Sequence, residues 1–129
     1  MAEAIFNSLV TTDHIATSAG TKVGEFEGQK LKDYAGAARA LAALQEIGID
    51  WSGHERNQVT PAMADEADKV IVMAEPETIP QWLSEHSKFT YWEIMDAWDE
   101  EFSTVQNIRN IVKAKVGELV RELRAAATA

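Results

Sequence analysis

Apolar positions recur along this chain at two different spacings, and the changes between them mark out the elements. Residues 2–9, Ala-Glu-Ala-Ile-Phe-Asn-Ser-Leu, are good helix formers with Ile5, Phe6 and Leu9 on one face, and nothing upstream caps the first turn. Residues 14–18 are a short strand candidate ending at Ala19-Gly20, and the glycine-spaced stretch 21–32 reads as a long loop. Asp33 is placed to cap a helix over 34–47, where Ala38, Leu41 and Leu44 fall at helical spacing. Gly48 followed by Ile49 has the form of a left-handed helix end with its apolar follower. Thr60-Pro61 supplies a cap and a first-turn proline for a helix through Ala67, and the run Val70-Ile71-Val72-Met73 reads as a buried, parallel strand. A short helix is expected within 75–86, with Ile79, Trp82 and Leu83 inward, and a third strand over 89–95. Ser103-x-x-Gln106 resembles a capping box. Beyond it Val105, Ile108, Val112, Val116, Leu119 and Leu123 trace one face of a long helix, and the alanine-rich residues 124–129 are expected to fray. The alternation predicts an α/β fold with a small parallel sheet flanked by helices in three layers.

Composition narrows the classes of function. The 129 residues are expected to form one domain, and 46% apolar content with four Trp is enough for a packed core. Twelve Lys and Arg against 21 Asp and Glu give a net charge of −9, which opposes nucleic acid and anionic membranes as partners. The absence of Cys removes thiol nucleophiles, disulfides, thiolate zinc sites and iron–sulfur clusters together. The longest apolar runs are short and the N-terminus lacks a basic segment followed by a long apolar one, so a cytoplasmic protein is expected. His14, His54 and His86 are far apart and lack ligand spacing, so neither a metal nor another cofactor is expected. The acid cluster Asp96, Asp99, Glu100 and Glu101 reads as a solvated helix entry. The final helix carries Arg109, Lys113, Lys115, Arg121 and Arg124 against Glu118 and Glu122, which is either a solvated face matched to the helix dipole or a surface for an acidic partner.

Several segments, in order, resemble the low-molecular-weight protein tyrosine phosphatase and arsenate reductase family. They are Met1-Ala2-Glu3-Ala4-Ile5-Phe6, Thr17-Ser18-Ala19-Gly20-Thr21 and the run from Ala43 through Ile49-Asp50-Trp51-Ser52-Gly53-His54, then Ala67 to Met73, Tyr91-Trp92-Glu93-Ile94-Met95-Asp96, and 108–123. The resemblance implies that family's fold, a parallel sheet in the strand order 2-1-3-4. It also places Asp96 where the family carries its general acid, although Ala97 stands where an Asp-Pro pair is usual. Ser18 and His54 fall where the family braces its phosphate loop, and Trp92 and Trp98 where aromatic side chains line the cleft. The plainer reading makes Asp96 a turn cap, Ser18 a strand-end hydroxyl, His54 a half-buried histidine bonded to backbone, and the two Trp a cover over apolar surface.

In that family a first strand and a Cys-x5-Arg-Ser phosphate loop precede the Met-Ala-Glu-Ala helix, which here stands at residue 1. The expectation is therefore a truncated phosphatase-like domain over 1–129, without the nucleophile and its anion-binding loop, acting as a binding or assembly module. Loss of a central strand would leave unpaired backbone groups between residues 14–18 and 70–73. Direct strand pairing, a second copy or a strand from another protein could satisfy them, and a homodimer is the expected solution. The alternative is a shortened form of an active enzyme whose nucleophile loop is encoded upstream of Met1. A phosphatase is then preferred to a thioredoxin-coupled arsenate reductase, because residues 72–80 carry no Cys.

Overall fold

The apolar stripe near the C-terminus becomes the longest element, α5 (Phe102–Thr128), in a computed structural model that describes residues 1–97 and 100–128. These residues fall into two compact units. One comprises Met1–Thr17, Lys30–His54 and Ala97–Ala129, and the other Ser18–Gln29 and Glu55–Asp96.

In the first unit α1 (Ala2–Leu9) and α2 (Ala38–Gln45) both pack on α5. Ile5, Ala43, Leu44, Val105 and Val116 are at most 1% exposed, and burial of each large side chain contributes about 1.5–3 kcal/mol. The buried row on α5 runs in steps of four, Ile108, Val112, Val116 and Val120, which turns it slowly around the helix, so Val120 is buried while Leu119 and Leu123 are only half-buried. Leu9 is likewise more exposed than its place on the apolar face of α1 suggests, at 36%. Arg109 joins this core. Its guanidinium donates to the Ala43 carbonyl at 2.9 Å, to Glu46 Oε1 at 2.6 Å and to Asn110 Oδ1 at 3.1 Å, so the buried charge is fully engaged.

Four sequence expectations for this unit are corrected. Residues 14–18 form no strand: the Asn7 carboxamide donates to the Ala16 carbonyl at 3.0 Å and accepts from the Ala16 amide at 2.9 Å, taking the place of a neighbouring strand, and Ile15 stands 82% exposed. The second helix starts at Ala38 rather than after Asp33, since Gly36 sits in a preceding one-turn 3₁₀ segment, Ala35–Ala37, and Asp33 closes another, Leu31–Asp33. The capping box does not form, because α5 already includes Ser103 and the Gln106 carboxamide donates instead to Glu46 Oε1 at 2.9 Å. The alanine-rich tail continues the helix through Thr128, as strong helix formers allow, and Arg124 Nε donates to Thr11 Oγ1 at 3.2 Å.

The second unit holds the sheet, β1 (Val70–Val72) paired in parallel with β2 (Phe89–Tyr91). Val70 and Val72 face β2 through their backbone groups, with Val70 N–H donating to Lys88 and Trp92 N–H to Val72, so the register turns the Ile71 amide and carbonyl to the opposite edge. Ala64 of α3 (Pro61–Glu66), Val72 and Leu83 of α4 (Gln81–Ser84) are its buried centre, with Ile79, Trp82 and Phe89 packed against them. Thr60 Oγ1 accepts from Met63 N at 3.3 Å, the cap that Thr60-Pro61 predicts. The helix expected within 75–86 divides into a 3₁₀ turn, Pro76–Thr78, and α4, because Pro80 lacks an amide and holds Ile79 extended at ψ 120°. The third strand candidate stops at Tyr91. Among the described residues no helix is long and apolar enough to cross a membrane.

Candidate functional site

His54 lies on a turn that follows α2 in the first unit. Gly48, at φ 82°, ends the helix in the left-handed conformation, and Ile49 N–H reaches back to the Leu44 carbonyl at 3.0 Å. Asp50 Oδ1 then accepts from both the amide and the hydroxyl of Ser52, at 3.1 and 2.7 Å, and these bonds hold its carboxyl below the usual value. His54 N–H donates to the Trp51 carbonyl and its own carbonyl accepts from Leu31 N–H, which fixes the ring's position from both sides. His54 is half-buried, and these bonds are made by its own backbone.

The side chain does more. The imidazole stacks on the Trp51 indole with centroids 4.3 Å apart and planes 18° from parallel. Its Nδ1 is 3.4 Å from Glu3 Oε2, and the same oxygen accepts from Trp51 Nε1 at 3.1 Å. The Glu3 side chain is only 11% exposed and that of His54 only 20%. The carboxylate is thus held between an indole N–H and an imidazole. Sequence reading assigns Glu3 no role: it stands in the segment Met1 to Phe6 only as part of a resemblance, and its place on α1 carries no sign of partners near residue 50.

Of the other predicted site residues, Ser18, Trp92 and Asp96 belong to the second unit. Ser18 is half-buried, and so is Trp92, whose amide closes the β1–β2 ladder. Asp96 is exposed on the segment after β2, and its charge reaches Glu75. Glu75 is pushed above the ordinary carboxyl value first by the hydrogen bond to Glu77, then by the charges of Glu77 and Asp96. Glu77 is held below it by its own backbone amide and by the same shared bond. Trp98, and Asp99 of the acid cluster, lie outside the described residues. His14 and His86 have separate local partners: Thr12 Oγ1 at 2.6 Å for the first and Asp65 Oδ1 at 3.0 Å for the second. Among the described residues no three His, Asp or Glu side chains converge as metal ligands would.

No protein-family model matches the chain. Over 86 residues it is 27% identical to the glutaredoxin arsenate reductase of Synechocystis sp., a match that spans 65% of this chain and 65% of that relative's length. Solved structures align over far more of it. Wzb of Vibrio vulnificus, in complex with benzylphosphonate, superimposes on 94% of this chain and 87% of its own with a TM-score of 0.78 at 17% identity. The YwlE arginine phosphatase of Geobacillus stearothermophilus covers 97% of this chain and 84% of its own with a TM-score of 0.73 at 19% identity. An arsenate reductase in its intermediate state covers 95% and 86%, with a TM-score of 0.70 at 23% identity. The chain resembles these proteins of the low-molecular-weight phosphatase and arsenate reductase type, and it has their α/β fold, a small parallel sheet flanked by helices.

Proposed function

We propose that these 129 residues form a phosphatase-like scaffold that works by binding and assembly rather than by catalysis, as a homodimer in the cytoplasm. The observation that carries this reading is a phosphatase-type fold written in a sequence without cysteine. The chemistry of the family it resembles runs through a thiolate, and a hydroxyl or carboxylate needs an activating base before it can replace one. On this reading Asp96 is a relic of a general acid, Ser18 and His54 are relics of the groups that brace a phosphate loop, and Trp92 is a relic of the aromatic lining of a cleft. Light scattering on the purified chain over a range of concentrations, with a p-nitrophenyl phosphate assay on the same sample, tests it. The expected result is a dimer with no turnover above the buffer rate. A species of 14.2 kDa at every concentration overturns the assembly role, and turnover that Asp96→Asn abolishes overturns the inactivity.

One observation favours a second reading. The Glu3, Trp51 and His54 cluster is assembled and largely enclosed, as a group that braces a catalytic loop has to be. The chain would then be part of a longer enzyme with its nucleophile loop encoded ahead of Met1, a phosphatase in preference to an arsenate reductase, with Asp96 as its general acid. Expressing the chain with its upstream codons would give turnover that Asp96→Asn lowers by roughly 100-fold or more.

A further inference from the structure

The end of α1 and the outer face of α5 enclose an open groove of about 530 Å³ in the first unit, lined in part by Leu9, Lys113, Ala114, Gly117, Glu118 and Arg121. Gly117 stands in the interior of a 27-residue helix, where glycine is the least favourable residue after proline. Packing within the chain does not call for it. A Cβ at 117 would meet only the Arg121 guanidinium, at 3.6 Å, an ordinary contact with the far end of a flexible side chain. The missing side chain instead keeps the groove open to another backbone. Lys113 and Arg121 lie one turn to either side of Gly117 on the same row of α5, and among the described residues neither makes an ion pair.

We propose that this groove docks a helix of another protein, crossing α5 at Gly117, with an apolar side chain against Leu9 and Ala114 and carboxylates about one turn to either side facing Lys113 and Arg121. Rows of residues four apart are the ridges and grooves by which helices interlock, and a small residue at the crossing point permits the closest approach. Glu118 on the same wall calls for a neutral or basic residue opposite it. A second copy of the chain is the wrong occupant: α5 laid antiparallel on itself about Gly117 sets Lys113 against the partner's Arg121, like charge on like. The docking surface is thus separate from the homodimer proposed above and does not depend on it.

A fluorescent synthetic helical peptide with leucines along one face, flanked by glutamates one turn away on each side, provides the probe. Its anisotropy would be titrated with the full chain beside a twin peptide carrying lysines in place of the glutamates. The acidic peptide is expected to bind at least roughly tenfold more tightly, with the gap narrowing as salt rises. Gly117→Leu fills the crossing point and is expected to weaken binding by a similar factor. Gly117→Ala guards against a folding artefact, since it raises the melting temperature through helix propensity and still weakens the peptide. The double reversal Lys113→Glu with Arg121→Glu switches the preference to the lysine twin. Equal binding of both peptides, binding of neither, or indifference to the Gly117 variants overturns the proposal. So does self-association of the chain that Gly117→Leu abolishes, which would give the groove to a second copy.

Discussion

Glu3 carries more of the candidate site than any residue to which the resemblance assigns a role. Its Oε2 accepts from the Trp51 indole at 3.1 Å and lies 3.4 Å from His54 Nδ1, in a position that leaves the carboxylate little water. An enclosed N–H that loses its acceptor costs about 1–3 kcal/mol. Glu3→Ala is therefore expected to lower stability by about that amount in urea unfolding followed by circular dichroism. Trp51→Phe should cost a similar amount, because it keeps a ring against His54 but leaves a carboxylate that meets little water without its indole donor. The double variant should then cost less than the sum of the two, with a coupling of about 0.5 kcal/mol or more. Strict additivity would mean that the indole–carboxylate bond adds nothing to stability. His54 was legible because it closes a segment, Ala43 to His54, that resembles the family, whereas Trp51 stands in the same segment with no role assigned to it. Glu3 was not legible, because its role depends on a turn 48 residues away and on nothing in its own neighbourhood.

Elements whose cause is local were legible at the same level of detail as they are built. Thr60-Pro61 caps α3, and Gly48 ends α2 at positive φ, each through bonds within a few residues. The strand expected over 14–18 and the capping box at Ser103 were misread for the opposite reason: the sequence shows what a segment can do, but the partner that decides comes from elsewhere. Asn7 takes the backbone of Ala16, and Glu46 takes the side chain of Gln106. Glu46 consequently joins α2 to α5, accepting from Gln106 and from Arg109 Nη1, and these bonds, the Gln106 bond first, hold its carboxyl below the ordinary 4.5. A carboxyl that binds its proton less readily folded than unfolded adds stability above the unfolded value and loses it as pH falls through the folded one. Unfolding midpoints are thus expected to drop as the pH is taken below about 4.5, and Glu46→Gln, which cannot titrate, should lessen that slope. An unchanged slope in the variant would assign the acid sensitivity to other carboxylates, with Asp50, held low by Ser52, the next to substitute.

Charge is unevenly divided over the whole molecule. The unit made of Ser18–Gln29 and Glu55–Asp96 has four basic residues against eleven acidic, a net −7, while the other has eight against ten. Two copies meet through a field of like sign, so apolar burial has to drive any homodimer, and Ile15, Phe26 and Met95, all at least half exposed, offer surface for it. Salt shortens the reach of that repulsion from about 30 Å at 0.01 M to about 8 Å at 0.15 M. The dimer is accordingly expected to tighten as sodium chloride is raised, read by light scattering as dissociation at a lower protein concentration. Docking of an acidic helix on Lys113 and Arg121 has the opposite sign and should weaken over the same series. A single salt titration therefore separates the two surfaces. A dimer that loosens with salt would be held by ion pairs instead, and the argument from apolar burial would fall with it.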